Sequence, residues 1–113
     1  MNYSSILVFG AHPDDEITMA GTMAKLASLG VRVLVCTCTD GSEGYPNPDW
    51  RDRIVEMRRQ EMAECDKVLG VAYRYRLDRP DMALENNKEN FKAIMRIIRE
   101  ARPDAVFTHG PED

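Results

Sequence analysis

The sequence shows no long apolar run, no strongly basic stretch and no recognisable signal-peptide pattern. No apolar run approaches the roughly 18 residues that a membrane-spanning helix needs, and the N-terminus MNYSSILVFG has no charged segment or cleavage site. With a net charge of -4 and a pI near 5.2, the chain has no basic stripe for binding phosphate backbones. We therefore expect a cytoplasmic protein that binds neither membranes nor nucleic acids.

The three cysteines do not form a recognisable zinc motif. Cys36 and Cys38 lie two apart in an apolar run, where strand alternation turns both side chains to the same face. Zinc pairs more usually show a C-x-x-C spacing together with a second Cys/His pair, and neither is present. We interpret these cysteines as packing residues.

The hydrophobic pattern alternates between strand-like and helix-like segments. Short apolar runs predict strands at 5–10, 31–39, 73–77 and 104–109. Apolar residues at helical spacing predict helices at 17–29, 50–69 and around 91–98. Such alternation predicts an α/β fold, a parallel sheet with helices on both faces.

The 113 residues, of which 43% are hydrophobic, contain enough apolar material for one modest core. The last predicted strand is followed only by a few polar residues, HGPED, where a covering helix normally follows. We therefore expect residues 1–113 to be the N-terminal part of a single domain that is incomplete at its C-terminus.

The strongest local signal is the HPDDE motif (residues 12–16), which joins the first strand to the first helix. Ordinary helix capping explains Pro13, one aspartate and Glu16, because proline and acidic residues are favoured in a first helical turn. Capping does not explain His12, or two adjacent aspartates at a buried junction where like charges repel. Ligands of open parallel sheets bind at this end of the strands, so both capping and ligand binding stay open.

The spacing of the HPDDE motif also suits a metal site. His12 and Asp15 are three residues apart, so in a helical turn both can point the same way, while Asp14 points elsewhere. A nitrogen and a carboxylate oxygen suit Zn²⁺, and a catalytic zinc keeps one position open for water. Asp14 could then take a proton from that water, a division of labour used in amide hydrolysis.

The segment ILVFGAHPDDEITMAG resembles the opening of the LmbE/PIG-L family, whose members begin with a strand followed by A-H-P-D-D-E. The resemblance continues through Thr39-Asp40-Gly41, through Arg58-x-x-Glu61, and through Arg102-Pro103-Asp104 into a strand ending Thr108-His109. It implies a Rossmann-like fold and a zinc-dependent deacetylase that removes N-acetyl groups from small molecules, commonly N-acetylglucosaminyl derivatives.

The resemblance also implies roles for individual residues. His12 and Asp15 would bind zinc, and Asp14 would be the general base. The third ligand is a histidine of a later H-P-D-H-like motif, expected beyond residue 113, and His109 resembles the residue that leads into that motif. Arg58 and Asp40 are candidate substrate-binding residues. Their plainer interpretations are a solvated helix face for Arg58 and the start of a turn for Asp40.

A non-catalytic Rossmann-like module that binds a nucleotide or a sugar is the alternative hypothesis. A dinucleotide site would show G-x-G-x-x-G after the first strand. That position holds G-A-H-P-D-D, whose carboxylates would repel a pyrophosphate. A metal-free structural domain is a third hypothesis, because the sequence contains only two of the expected ligands.

Overall fold

The computed structural model describes residues 2–112, which form a four-stranded sheet and three α-helices. The strands are β1 (Ser5–Gly10), β2 (Arg32–Thr39), β3 (Tyr73–Arg79) and β4 (Ala105–Phe107). The helices are α1 (Ala20–Ser28), α2 (Ile54–Leu69) and α3 (Lys88–Ala101). Within this part of the chain, no helix has the length and apolarity that crossing a bilayer requires.

All neighbouring strands of the sheet are parallel, in the order β3-β2-β1-β4. The chain runs outward from β1 through β2 to β3, and then returns to the other side of β1 as β4. The order therefore reverses between β1 and β4, and such a reversal marks the usual ligand site of a doubly wound sheet. The predicted Rossmann-like α/β fold is confirmed.

Apolar side chains cover both faces of the sheet. One face buries Met23 of α1 against the sheet residues Ile6, Val8, Val33 and Val35. The opposite face buries two residues of α3, Ile97 and Ala101, against Leu7, Leu34 and Cys36. Each fully buried Leu or Ile contributes about 1.5–3 kcal/mol, so these two layers hold the sheet between helices as predicted.

The cysteines of β2 belong to this packing. Cys36 and Cys38 are both buried and reduced. The hydrogen bond to Cys38 and burial together raise the pKa of the Cys36 thiol, which therefore stays protonated. A protonated, buried thiol such as Cys36 is a poor metal ligand, and the burial of both side chains agrees with the interpretation of the pair as core residues.

Two helices begin later than the hydrophobic pattern predicts. The predicted helix 17–29 divides into a 3₁₀ helix, Asp15–Met19, and α1. The helix predicted from Trp50 starts at Ile54, because Pro48–Trp50 form a separate 3₁₀ turn, in which the N–H of Asp49 donates to Oδ1 of Asn47. In both places a short 3₁₀ segment precedes the α-helix.

Candidate functional site

Four ionisable side chains follow the carboxyl ends of the four strands. Asp40 comes directly after β2, and three residues come two positions after β1, β3 and β4 respectively: His12, Asp81 and His109. Because parallel strands end at the same edge of a sheet, the fold brings all four to one surface. Asp81 lies between the predicted strand 73–77 and the predicted helix around 91–98, in a polar segment where no motif marks it as a site residue.

The backbone of the HPDDE motif forms a strained turn. Pro13 is buried, whereas the next residue, Asp14, is exposed and has a left-handed φ of 82°. Such a conformation costs on the order of 1–3 kcal/mol for a residue other than glycine. The Asp14 side chain makes no capping hydrogen bond to the 3₁₀ helix that follows it. Helix capping therefore does not account for Asp14.

His12 and Asp15 point to the same place, as their spacing predicts. The Nδ1 atom of His12 lies 3.6 Å from Oδ2 of Asp15, and the backbone N–H of His12 donates to the same oxygen at 2.8 Å. Asp15 thus folds back over the end of β1. Gly10 makes room for it, since a Cβ atom on Gly10 would lie 3.0 Å from Cβ of Asp15.

Two further side chains complete what we call the edge cluster, consisting of His12, Asp15, Asp81 and His109. Nε2 of His12 lies 3.2 Å from Oδ1 of Asp81, and Nε2 of His109 lies 3.4 Å from Oδ2 of Asp15. The N–H of Ala11 donates to Nε2 of His109 at 3.4 Å. The proximity of His109 to Asp15 follows from the pairing of β4 with β1, which only the sheet order reveals.

The Asp40 side chain joins the loops after β2 and β3 through hydrogen bonds. Its Oδ1 atom accepts hydrogen bonds from the backbone N–H groups of Ser42 and Asp81, at 2.9 and 3.1 Å. Partial burial alone would raise the pKa of Asp40, but the hydrogen bonds from Ser42 and Asp81 lower it below its usual value. This geometry favours the turn interpretation of Asp40 and gives it an indirect link to the edge cluster through Asp81.

Arg58 extends from α2 toward the same edge. It lines a cavity of about 20 Å³ together with Pro13 and Asp40. Its Nη1 atom donates to Oε2 of Glu61 at 3.0 Å, and its side chain remains 30% exposed. The structure therefore brings Arg58 and Asp40 together beside the HPDDE motif, although an ordinary ion pair on the helix surface also accounts for the Arg58–Glu61 contact.

The last residue of the HPDDE motif points away from the edge, into what we call the buried ionic cluster: Glu16, Thr37, Asp66 and Arg74. Arg74 of β3 and Glu16 have only 3% and 2% of their side chains exposed. The guanidinium donates to Glu16 at 2.5 Å, to Thr37 at 2.6 Å, and to Asp66 at 2.8 and 2.9 Å. The alternating sequence YRYRL gives no sign that one arginine is buried.

The edge cluster offers imidazole nitrogens and carboxylate oxygens, which are ligand types that zinc binds. Two ligands of one tetrahedral zinc lie about 3.3 Å apart when each is about 2.0–2.1 Å from the metal. The 3.6 Å between His12 and Asp15 is close to that separation. Among residues 2–112, however, no group of three or more His, Cys, Asp or Glu side chains is arranged to hold a metal ion. The described residues therefore offer a two-residue partial site.

Comparison with protein families identifies the class of this protein. The family described as PIG-L, GlcNAc-PI de-N-acetylase, matches residues 7–113. The chain belongs to this family, in agreement with the resemblance of its motifs. The match includes the HPDDE motif and all four strand ends.

Individual relatives agree with this family. The chain is 36% identical to a 1D-myo-inositol 2-acetamido-2-deoxy-α-D-glucopyranoside deacetylase of Streptomyces scabiei, over 95% of the chain and 42% of the relative. A solved N,N'-diacetylchitobiose deacetylase of Pyrococcus horikoshii is 34% identical and superposes with a TM-score of 0.89, over 93% of this chain and 40% of that one. The chain thus spans about two fifths of the length of these relatives.

The fold extends beyond deacetylases. The 4-carboxy-2-hydroxymuconate hydratase GalB of Pseudomonas putida is 24% identical and superposes with a TM-score of 0.82, over 94% of this chain and 47% of that one. This likeness shows a shared fold only. The fold therefore does not decide the reaction, which must be argued from the side chains at the edge.

Proposed function

We propose that the full-length protein is a zinc-dependent deacetylase that hydrolyses the N-acetyl group of a small molecule, an N-acetylglucosaminyl derivative. The observation that carries the proposal is the geometry of the HPDDE motif. His12 and Asp15 converge at the switch point of the sheet, and Asp14 is held exposed beside them in a strained turn without a capping role. Family membership and the deacetylases among its relatives support the same reaction.

His12 and Asp15 would hold the zinc ion, together with a ligand outside the described residues. Zinc bound there supplies a Lewis acid, which polarises an amide carbonyl and makes water more acidic. The contact between His12 and Asp81 orients the imidazole, as carboxylates commonly do for histidines that bind metals. The Asp15 carboxylate is positioned by the backbone N–H of His12, which donates to its Oδ2 atom.

Asp14 would act as the general base. Its exposed carboxylate accepts a proton from the water that attacks the acetyl carbonyl carbon. Cleavage of the C–N bond then releases acetate, and the amine leaving group takes up a proton. A carboxylate already engaged in capping would be a weaker base, so the absence of a capping hydrogen bond at Asp14 suits this role.

Arg58 and Asp40 would bind the polar groups of the sugar. Both line the small cavity next to Pro13, and a guanidinium is a versatile donor to hydroxyl oxygens. Arg58 is the stronger candidate of the two, because the acceptor Oδ1 of Asp40 is already occupied by backbone N–H groups.

The proposal is tested by incubating the full-length protein and zinc with N-acetylglucosaminyl derivatives and measuring released acetate and free amine. We expect stoichiometric release of both products, abolished by a chelator and restored by zinc. An Asp49→Asn variant, altered at an exposed loop residue, serves as the control with unchanged turnover. Tight binding of the sugar without release of acetate would instead support the binding-module hypothesis.

A further inference from the structure

We propose that Arg74 is a positioning residue for the metal-binding turn, acting through Glu16. Arg74 lies on β3, and no described contact joins it to His12, Asp14 or Asp15. Its guanidinium nevertheless binds the residue directly after Asp15, and it does so from within the protein interior. The zinc-related part of this inference rests on the proposed function, whereas the structural part does not.

The two aspartates of the motif lie between two buried residues. On one side, Pro13 packs under Gly41, where an added Cβ atom would come within 3.1 Å of Cγ of Pro13. On the other side, Glu16 is held by Arg74. Between these anchors Asp14 adopts its left-handed conformation, which persists only where the surroundings impose it. Loss of either anchor frees the turn.

Arginine suits this position because its donors are fixed in one plane. The same guanidinium reaches three elements at once: the 3₁₀ helix through Glu16, β2 through Thr37 and α2 through Asp66. Burial alone would lower the pKa of Arg74, but its hydrogen bonds to Asp66 and Glu16 raise it, so the charge persists. A lysine ammonium cannot reproduce this fork of donors.

The network also leaves one group unpaired. Among the described residues, Oε2 of Glu16 is a buried side-chain oxygen with no hydrogen-bond partner. The Glu16 side chain is therefore held by the hydrogen bond that its other oxygen, Oε1, accepts from Arg74. A single contact between two buried charges fixes the carboxyl end of the HPDDE motif.

The experiment compares three variants of the full-length protein: Arg74→Lys, Glu16→Asp and Asp66→Asn. Arg74→Lys keeps the charge but loses the fork, and Glu16→Asp keeps the charge but shortens the reach to Arg74. Asp66→Asn is the matched control, since it changes another partner of the same guanidinium and leaves both members of the Arg74–Glu16 contact unaltered. If Arg74→Lys does not fold, Glu16→Asp tests the same contact from its other end.

The first readout is amide hydrogen exchange in zinc-free protein, which is independent of any activity. Three N–H groups report on the turn: His12 bonded to Asp15, Asp15 bonded to His12, and Ile17 bonded to Asp14. We expect their exchange to accelerate roughly 10-fold or more in Arg74→Lys and Glu16→Asp, and to stay near wild type in Asp66→Asn.

The second readout is zinc affinity, which we expect to fall about 10-fold in the first two variants, the lower end of the range for residues that support a metal ligand. Wild-type exchange at the three amides in both test variants would overturn the inference. So would an equal acceleration in Asp66→Asn, which would indicate general loosening. If the wild-type protein binds no zinc, the proposed function fails, while the exchange result still decides the role of Arg74.

Discussion

The molecule contains two ionic clusters that differ in burial although they share the HPDDE motif. The edge cluster is partly exposed, with half of the His12 side chain accessible, and the contacts between its side chains are 3.2–3.6 Å long. The buried ionic cluster is almost wholly enclosed, and Arg74 makes contacts of 2.5–2.9 Å within it. All three guanidinium nitrogens of Arg74 donate hydrogen bonds within the buried ionic cluster. The side chains of the edge cluster, in contrast, lie at the surface.

The difference places one short motif in two environments. Asp15 and Glu16 are adjacent acidic residues, yet the turn directs one to the open edge and the other beneath it. Charges that are buried and paired hold a framework in place, and removing one partner is costly. Charges that are loosely paired at an open edge are available to a metal ion or substrate. The following predictions test this division between function at the edge and framework below it.

The largest effect is expected from Asp15→Ala in the full-length protein. This change removes a charged metal ligand, so zinc affinity should fall by more than the roughly 10- to 100-fold typical of supporting residues, and turnover should fall with it. Excess zinc should partly restore turnover. The measurement is turnover as a function of added zinc. If Asp15→Ala reached wild-type turnover without extra zinc, Asp15 would not be a zinc ligand.

Asp14→Asn should reduce turnover by about 10²- to 10⁴-fold, the usual scale for a lost general base. The amide keeps the size of the side chain but cannot accept the proton. Added zinc should not help this variant, in contrast to Asp15→Ala. Steady-state kinetics over a zinc titration distinguish the two, and a zinc-dependent rescue of Asp14→Asn would argue against its role as the base.

Arg74→Ala should reduce the free energy of unfolding by about 3–5 kcal/mol, because it leaves the carboxylates of Glu16 and Asp66 without their cation in the interior. Arg76→Ala, two residues along the same strand, removes an exposed guanidinium and should cost no more than about 0.5 kcal/mol. Urea unfolding of both variants measures the difference. Equal stabilities would show that the buried ionic cluster contributes little to the framework.

Asp40→Asn should cost about 1 kcal/mol at neutral pH, since it weakens the hydrogen bonds that join two loops. The lowered pKa of Asp40 gives this contribution a defined pH dependence. It is complete above the ordinary aspartate pKa of about 3.9 and is lost as the pH falls through the lower folded value. Melting temperatures of wild type and variant should therefore converge below about pH 4, and a constant gap would contradict the assignment.

The smallest effect is expected at Arg58. Its partly exposed ion pair with Glu61 contributes at most about 1 kcal/mol, so Arg58→Ala should leave stability nearly unchanged. If Arg58 binds substrate as proposed, KM should rise about 3-fold with little change in kcat. Glu61→Gln is the control, because it removes the ion-pair partner and keeps the guanidinium. Equal KM values for wild type and Arg58→Ala would leave Arg58 as a surface residue.

Much of the fold followed from hydrophobic periodicity. The alternation of strands and helices predicted the parallel sheet, and β1 was predicted at its observed bounds, Ser5–Gly10. Turns were less predictable. The 3₁₀ turn that precedes α2 has a local cap at Asn47, which the helical pattern does not reveal.

The site was predictable only in part, for a related reason. The spacing of His12 and Asp15 is local, so the sequence predicts their convergence, which the structure shows. The approach of His109 and Asp81 depends on strand order and on loops more than 60 residues from His12 in sequence. The burial of Arg74 depends on partners in three other elements. Pattern and spacing carry no information about such distant partners.

The most direct test of the account is the zinc content of Asp14→Asn and Asp15→Ala, purified side by side in the full-length protein. The two residues are adjacent and chemically identical, and each substitution removes one negative charge, so net charge cannot explain a difference between the variants. We expect Asp14→Asn to retain zinc at the wild-type level and Asp15→Ala to lose most of it. Loss of zinc from Asp14→Asn with retention in Asp15→Ala would reverse the assigned roles, and unchanged zinc in both would place the metal site elsewhere.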